Sequence, residues 1–255
     1  MLYQVMVHCI SDIGYVRQNN EDSWQCLDDK QFYVLADGMG GHQAGEIASK
    51  ETVTRLCSLF QERYHPFLSL EESKNLIVQL ICEVNADVYH MGNETLGLKG
   101  MGTTLCCIFL HPEGLVYAHV GDSRIYHFRQ GELRQLTKDH SLLSELFDLG
   151  QLTETSTEKF LYKNIITKAI GTSSFVEPNA SSCALEVGDL LLLCTDGLTD
   201  LVGYNEIKKI LNENSLEEAA TILVETAKIN GGYDNITIII VMIQNIEDES
   251  HLSRL

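Results

Sequence analysis

TTLCCIFLHPEGLVYAHVGDSRIYHFRQGELRQL, residues 103–136, sets four β-type runs in quick succession. Thr103–Leu110, Leu115–Val120, Arg124–Arg129 and Leu133–Leu136 are rich in β-branched, aromatic and other apolar residues. Pro112-Glu113-Gly114 and Gln130-Gly131-Glu132 are turn sequences of hairpin length. Parallel strands need a crossover of a dozen or more residues, and no such room exists here. The stretch is expected to form an antiparallel meander rather than a βαβ series.

Upstream, Tyr3–Ile10 reads as a strand, and Phe32–Ala36 is a short apolar strand running into Asp37-Gly38-Met39-Gly40-Gly41. A helical pattern follows from Ala44 to about Tyr64, where Pro66 stops it. Ser69-Leu70-Glu71-Glu72 has capping-box spacing and opens a second helix to about Met91. Downstream, the polar stretch 141–165, with a helical piece near Leu142–Leu149, reads as a flap inserted on the sheet edge. Strands are expected at Cys183–Leu185 and Asp189–Cys194, helices at Tyr204–Leu211 and Ser215–Ile229, and a closing strand at Ile236–Ile243. Strands, two helices, many strands, two helices, strand: this order indicates an α+β layered fold, with helix pairs covering antiparallel sheets. One domain is expected over residues 1–245, followed by a polar tail, 246–255.

Composition narrows the function. The 255 residues are 44% hydrophobic and 21% charged, enough to bury a sizeable core. Against 18 Lys and Arg stand 36 Asp and Glu, a formal charge of -18, which nucleic acid and anionic lipid surfaces would repel. The eight cysteines form no C-x-x-C pair and mostly sit in apolar runs, arguing against a zinc site or disulfide framework and for a reducing compartment. Met1–Ile10 lacks the pattern of a signal peptide, and the apolar runs are shorter than the roughly 18–20 residues of a membrane span. A cytoplasmic, monomeric protein is expected, with no nucleic-acid or membrane partner.

Acidic residues gather where strands end: Asn20-Glu21-Asp22, Asp37-Gly38, Gly121-Asp122, Asp196-Gly197 and Asp234-Asn235. Any one Asp-Gly is a common turn. Taken together, carboxylates projecting from several rigid strand ends would repel one another unless a cation neutralised them, and all-oxygen donors suit magnesium, manganese or calcium.

At this point the sequence resembles the metal-dependent protein phosphatases of type 2C, and most closely their bacterial branch. The resemblance rests on Ser11-Asp12-Ile13-Gly14, Arg17-x-x-Asn20-Glu21-Asp22, Ala36-Asp37-Gly38-Met39-Gly40-Gly41-His42, Gly102-Thr103-Thr104 and Val120-Gly121-Asp122-Ser123-Arg124-Ile125-Tyr126. Leu136-Thr137-x-Asp139-His140-Ser141, Ala169-Ile170-Gly171, Cys194-Thr195-Asp196-Gly197-Leu198 and Asp234-Asn235-Ile236-Thr237 complete it, in the family's order. It implies a four-layer α-β-β-α sandwich and hydrolysis of phosphoserine and phosphothreonine in proteins by a metal-activated water. It implies two Mn2+ or Mg2+ ions per chain: Asp37 shared by both, Asp196 and Asp234 on one, the Gly38 carbonyl and Glu21 on the other. Asp122, with Asp196, matches a third, weaker metal position; Asp22 would hold metal-bound water, and Arg17 would bind the phosphate. Substrates would be phosphoproteins made by a Ser/Thr kinase.

Other matched residues read as structural: Ser123 and Arg124 bracing the Asp122 loop, Gly102-Thr103-Thr104 starting a core strand, and His140 in a hydrogen bond. Two departures stand out. Met39 replaces a histidine that many eukaryotic relatives use as leaving-group acid, with His42 as a nearby substitute, and Phe160-Leu161 replaces a His-Pro of bacterial relatives. A pseudophosphatase acting as a binding module is the main rival, though such proteins usually lose metal-binding acids. A P-loop is excluded because Glu46 follows Gly45 where lysine is needed, and a two-carboxylate glycosidase leaves the other segments unexplained.

Overall fold

The stretch expected to form one meander is instead divided between two sheets, as the computed structural model shows. The structure describes residues 2–40, 43–151 and 165–247. Within residues 103–136, β5 (Leu105–His111) pairs with β6 (Gly114–Val120), and β7 (Arg124–Arg129) pairs with β8 (Glu132–Gln135). The two hairpins lie in different sheets. The chain crosses at Gly121-Asp122-Ser123, a connection that short-range turn signals cannot distinguish from a third hairpin.

The other strands are β1 (Leu2–Asp12), β2 (Asp22–Leu27), β3 (Phe32–Met39), β4 (Gly102–Thr103), β9 (Asn179–Cys183), β10 (Leu190–Cys194) and β11 (Ile236–Glu247). One sheet has the order β1-β11-β10-β7-β8; the other is β2-β3-β5-β6-β9, with β4 also on β3. Every pairing between these strands is antiparallel. The helices are α1 (Gln43–Arg63), α2 (Leu70–Glu94), α3 (Leu142–Asp148), α4 (Asp196–Thr199), α5 (Tyr204–Glu213) and α6 (Leu216–Ile229).

Three buried clusters define four layers. Phe60, Leu80, Ile81 and Val84 of α1 and α2 pack on Phe32, Val34 and Phe109 of the second sheet. Leu223 and Val224 of α6 pack on Ile238 and Ile240 of the first. Tyr33, Leu35, Ile108, Leu193 and Ile239 fill the space between the sheets. Residues alternate along β3 accordingly: Phe32, Val34 and Ala36 face the helices, while Tyr33 and Leu35 face the opposite sheet. This is the expected α-β-β-α sandwich.

Both capping boxes form. The Ser69 hydroxyl accepts from the Glu72 N–H (3.3 Å) while the Glu72 carboxylate accepts from the Ser69 N–H (2.9 Å), and Ser215 and Glu218 repeat the arrangement at α6. Other boundaries needed correction. The strand expected at Cys183–Leu185 is β9, ending at Cys183, because its partners are residues 115–119 of β6. Neither β2 nor α4 was foreseen: β2 is an edge strand with weak alternation, and α4 is a single turn. Residues 152–164 of the expected flap, with Phe160-Leu161, and residues 248–255 of the tail lie outside the described residues, as do Gly41 and His42.

Candidate active site

Asp22 opens β2 and Asp37 lies near the end of β3, and the two are directly opposite each other in the ladder. Cross-strand partners project to the same face, so two carboxylates meet side by side, an arrangement that costs stability unless something neutralises it. By the alternation of β3, that face looks into the space between the sheets. From the other sheet, Asp196 follows β10 at the first position of α4, and Asp234 lies two residues before β11. Asp122 sits on the crossover between β6 and β7. Five strand ends from both sheets therefore deliver acids to one end of the sandwich.

Backbone tethers hold these ends together. The Thr104 N–H and the Thr103 hydroxyl both donate to the Asp37 carbonyl (2.8 Å each), and the Asp37 N–H donates to the Thr104 hydroxyl (2.9 Å). Thr104 also bonds Ser123 (2.7 Å), linking the Asp37 and Asp122 loops. The Arg124 guanidinium grips Asp139 (2.7–3.1 Å). His140 and Gly121 exchange two hydrogen bonds, the Gly121 N–H to the imidazole Nδ1 (3.1 Å) and the His140 N–H to the Gly121 carbonyl (2.9 Å). Burial pushes the His140 imidazole down to about 4, so it is neutral and structural, as the sequence suggested.

Asn235 was not singled out by sequence reasoning, yet it organises the site. Its Oδ1 accepts from the Glu21 N–H (2.8 Å), and its Nδ2 donates to the carbonyls of Ile13 (3.1 Å) and Asn19 (3.0 Å). One side chain thus fastens the β1–β2 connection to the start of β11. Its place in the matched segment Asp234-Asn235-Ile236-Thr237, directly before a buried strand, was the available signal, but nothing there gave its hydrogen-bonding role.

Close backbone approach explains two glycines. A Cβ on Gly38 would stand 2.2 Å from the Gly45 carbonyl oxygen, and one on Gly197 would stand 2.0 Å from the Asn235 carbonyl oxygen. Any side chain at either position would force apart the loops that bring the acids together.

The acids perturb one another strongly. The Asp37 carboxyl is pushed far above the usual carboxylate range, first by burial and then by Asp22, Asp196, Asp234 and Asp122. Burial raises Asp22 to about 7, against the opposing hydrogen bonds of Thr237 and Thr195. Asp122 rises to about 7 through burial and Asp196, and Asp196 to about 6 through burial and Asp234. Glu21, 8% exposed, turns Oε2 toward Gly45 and accepts from Asn19 at Oε1 (3.2 Å). Arg17, at the rim with its side chain 49% exposed, donates from Nη2 to Asp234 Oδ2 at 2.7 Å. That ion pair keeps the cation beside the acids.

Among the described residues, no three His, Cys, Asp or Glu side chains form a ready-made metal cage. Yet Asp22, Asp122 and Asp196 each bury an Oδ1 atom with no hydrogen-bond partner among those residues. Orphaned anionic oxygens in a cluster of raised carboxylates are an all-oxygen donor set lacking its counter-charge, and a hard divalent cation fits that chemistry. Among the described residues, no helix is long and apolar enough to cross a membrane.

Comparison with known proteins agrees with this geometry. The family model described as protein phosphatase 2C matches residues 15–228. The serine/threonine phosphatase Stp of Listeria monocytogenes is 37% identical over 235 residues, covering 91% of this chain and 93% of the relative. The serine/threonine phosphatase structure of S. agalactiae superposes with a TM-score of 0.87 at 39% identity, over 94% of this chain and 100% of that one. The catalytic domain of the serine/threonine protein phosphatase PstP, solved with two manganese ions, gives 0.83 at 34% identity, over 94% and 99%. The chain belongs to the protein phosphatase 2C family. Within it, the chain is of the bacterial type and is a protein serine/threonine phosphatase acting on phosphoproteins.

Proposed function

We propose that Asp37, Asp196, Asp234, Asp122, Glu21 and the Gly38 carbonyl hold divalent cations at this end of the sandwich. Two Mn2+ or Mg2+ ions, with a weaker third at Asp122 and Asp196, would match the number of acids. Such ions, when bound, make water nucleophilic near neutral pH and offset the charge that builds on phosphorus. The chain's own residues do the rest. Asp22, buried and bonded to the Thr195 hydroxyl (3.1 Å), orients the attacking water through its free oxygen. Arg17 leaves Asp234 to clamp the substrate phosphate, a task its planar fork suits. Met39 has no proton to give, and the leaving alkoxide takes its proton from solvent.

The observation carrying this reading is the delivery of five buried or half-buried carboxylates by both sheets to one place. Substrates are phosphoserine and phosphothreonine proteins made by a Ser/Thr kinase. A cytoplasmic monomer without nucleic-acid partners agrees with the acidic composition. Retention of every matched acid disfavours a pseudophosphatase. A phosphothreonine peptide should be hydrolysed with manganese present and not after chelation; hydrolysis that persists in chelator sinks the proposal.

Arg17→Ala should raise KM for the peptide about tenfold, the range of a lost charge-assisted phosphate contact. The manganese concentration giving half-maximal activity should shift far less. An unchanged KM removes Arg17 from phosphate binding.

A further inference from the structure

Cys9 on β1 and Cys26 on β2 bring their sulfurs to 3.4 Å across the open side of the sandwich. These are the edge strands of two different sheets, β1 bound only to β11 and β2 only to β3. Both thiols are free and only half-buried, whereas Cys57, Cys106, Cys107 and Cys194 are fully buried. We propose that Cys9 and Cys26 form a reversible disulfide that staples the two sheets together. The bond would fix the intervening connection, residues 13–21, which leads from β1 into β2 and carries Arg17 and Glu21.

A disulfide needs an S–S distance of about 2.05 Å, so the sulfurs must approach by about 1.3 Å. An edge strand with no neighbour on its outer side can shift that far. The two thiols are also unequal. The hydrogen bond from Cys26 lowers the Cys9 pKa, against burial and Asp28, and raises that of Cys26. Cys9 is therefore the first to react.

Hydrogen peroxide supplies the oxidant. The Cys9 thiolate attacks the terminal peroxide oxygen, the O–O bond breaks, and Cys9 becomes a sulfenic acid as the leaving oxygen departs, protonated, as water. The Cys26 sulfur then gives up its proton, attacks the Cys9 sulfur and displaces a second water. Two thiols and one hydrogen peroxide give one disulfide and two waters. A dithiol reductant reverses the change.

The test treats reduced, manganese-loaded protein with hydrogen peroxide and then blocks remaining thiols. Intact mass before blocking should fall by about 2 Da, and a non-reducing digest should yield a peptide joining Cys9 to Cys26. Hydrogen exchange across residues 13–21 should slow on oxidation and recover with dithiothreitol. Cys26→Ser should give no joined peptide; it should gain oxygen instead of losing hydrogen, and show no slowing at 13–21. Absence of the joined peptide in the wild type, a different pairing, or unchanged exchange at 13–21 overturns the proposal. A final arm rests on the phosphatase reading: peroxide should lower turnover of a phosphothreonine peptide severalfold in wild type, reversibly, but not in Cys26→Ser. An enzyme inactive even when reduced would count against that reading alone, since mass and exchange still decide the staple.

Discussion

Asp37→Asn should lower kcat on a phosphothreonine peptide by about a thousandfold or more while the chain stays folded. If Asp37 holds the cations as proposed, removing its charge forfeits at least about 4 kcal/mol of transition-state stabilisation, and each 1.36 kcal/mol is a factor of ten. The fold should survive because the substitution leaves the backbone bonds from this position to Thr103 and Thr104 in place. Without metal the variant should be the more stable protein at neutral pH. The carboxylates of Asp37, Asp22, Asp122 and Asp196 all titrate higher in the fold than in the unfolded chain. Groups raised in this way favour folding fully below the ordinary carboxylate pKa of about 4, and that advantage drains away as pH climbs through their folded values. Chelated wild type should therefore lose melting temperature between pH 4 and about 7, and Asp37→Asn should lose less. Thermal melts in chelator at pH 5 and pH 7.5 measure this. Wild-type turnover in the variant, or an equal pH slope, would contradict the assigned role.

Gly38→Ala should be nearly as damaging, through backbone geometry rather than charge. The added methyl would sit 2.2 Å from the Gly45 carbonyl oxygen and 2.7 Å from the Glu21 carbonyl oxygen, and neither is the end of a flexible side chain. Relief requires β3 to part from the start of α1 or from the β1–β2 connection. Overpacking of this kind costs about 3 kcal/mol or more. The Gly38 N–H bond to Glu21 (3.1 Å) would go with it. Urea denaturation should show the loss, and activity in saturating manganese should drop about a hundredfold. Gly203→Ala, where a Cβ meets nothing within 4 Å, is the control; it should leave activity unchanged and, as the N-cap of α5, cost stability only about 1 kcal/mol or less. Normal stability and activity in Gly38→Ala would mean that the loops are not held as tightly as described.

The layers were legible in the sequence. Helix caps at Ser69 and Ser215 and apolar runs such as Ile236–Ile243 are local signals, and they form as expected. Non-local facts were less legible. The jump between sheets at Gly121 is written as an ordinary turn. Likewise, β2 is stabilised by pairing with β3 rather than by its own alternation. Asp22, Asp37, Asp122, Asp196 and Asp234 could be named as a group from their places after or before strands. The pairing of Asp22 with Asp37, the Arg17–Asp234 ion pair and the triple bonding of Asn235 needed the fold, because each joins residues distant in the chain or set by register.

The position of β11 has a bearing on biosynthesis. It lies between β1 and β10, and along 11 residue pairs β1 has no other partner. A polypeptide still being translated, with residues 236–247 inside the ribosome, leaves β1 without a neighbour and cannot yet offer Asp234 beside Arg17. β1 must wait for β11 before it has a partner, while β2, β3, β5 and β6 pair without it, so the acid cluster is completed only once residues 234–247 are free to fold.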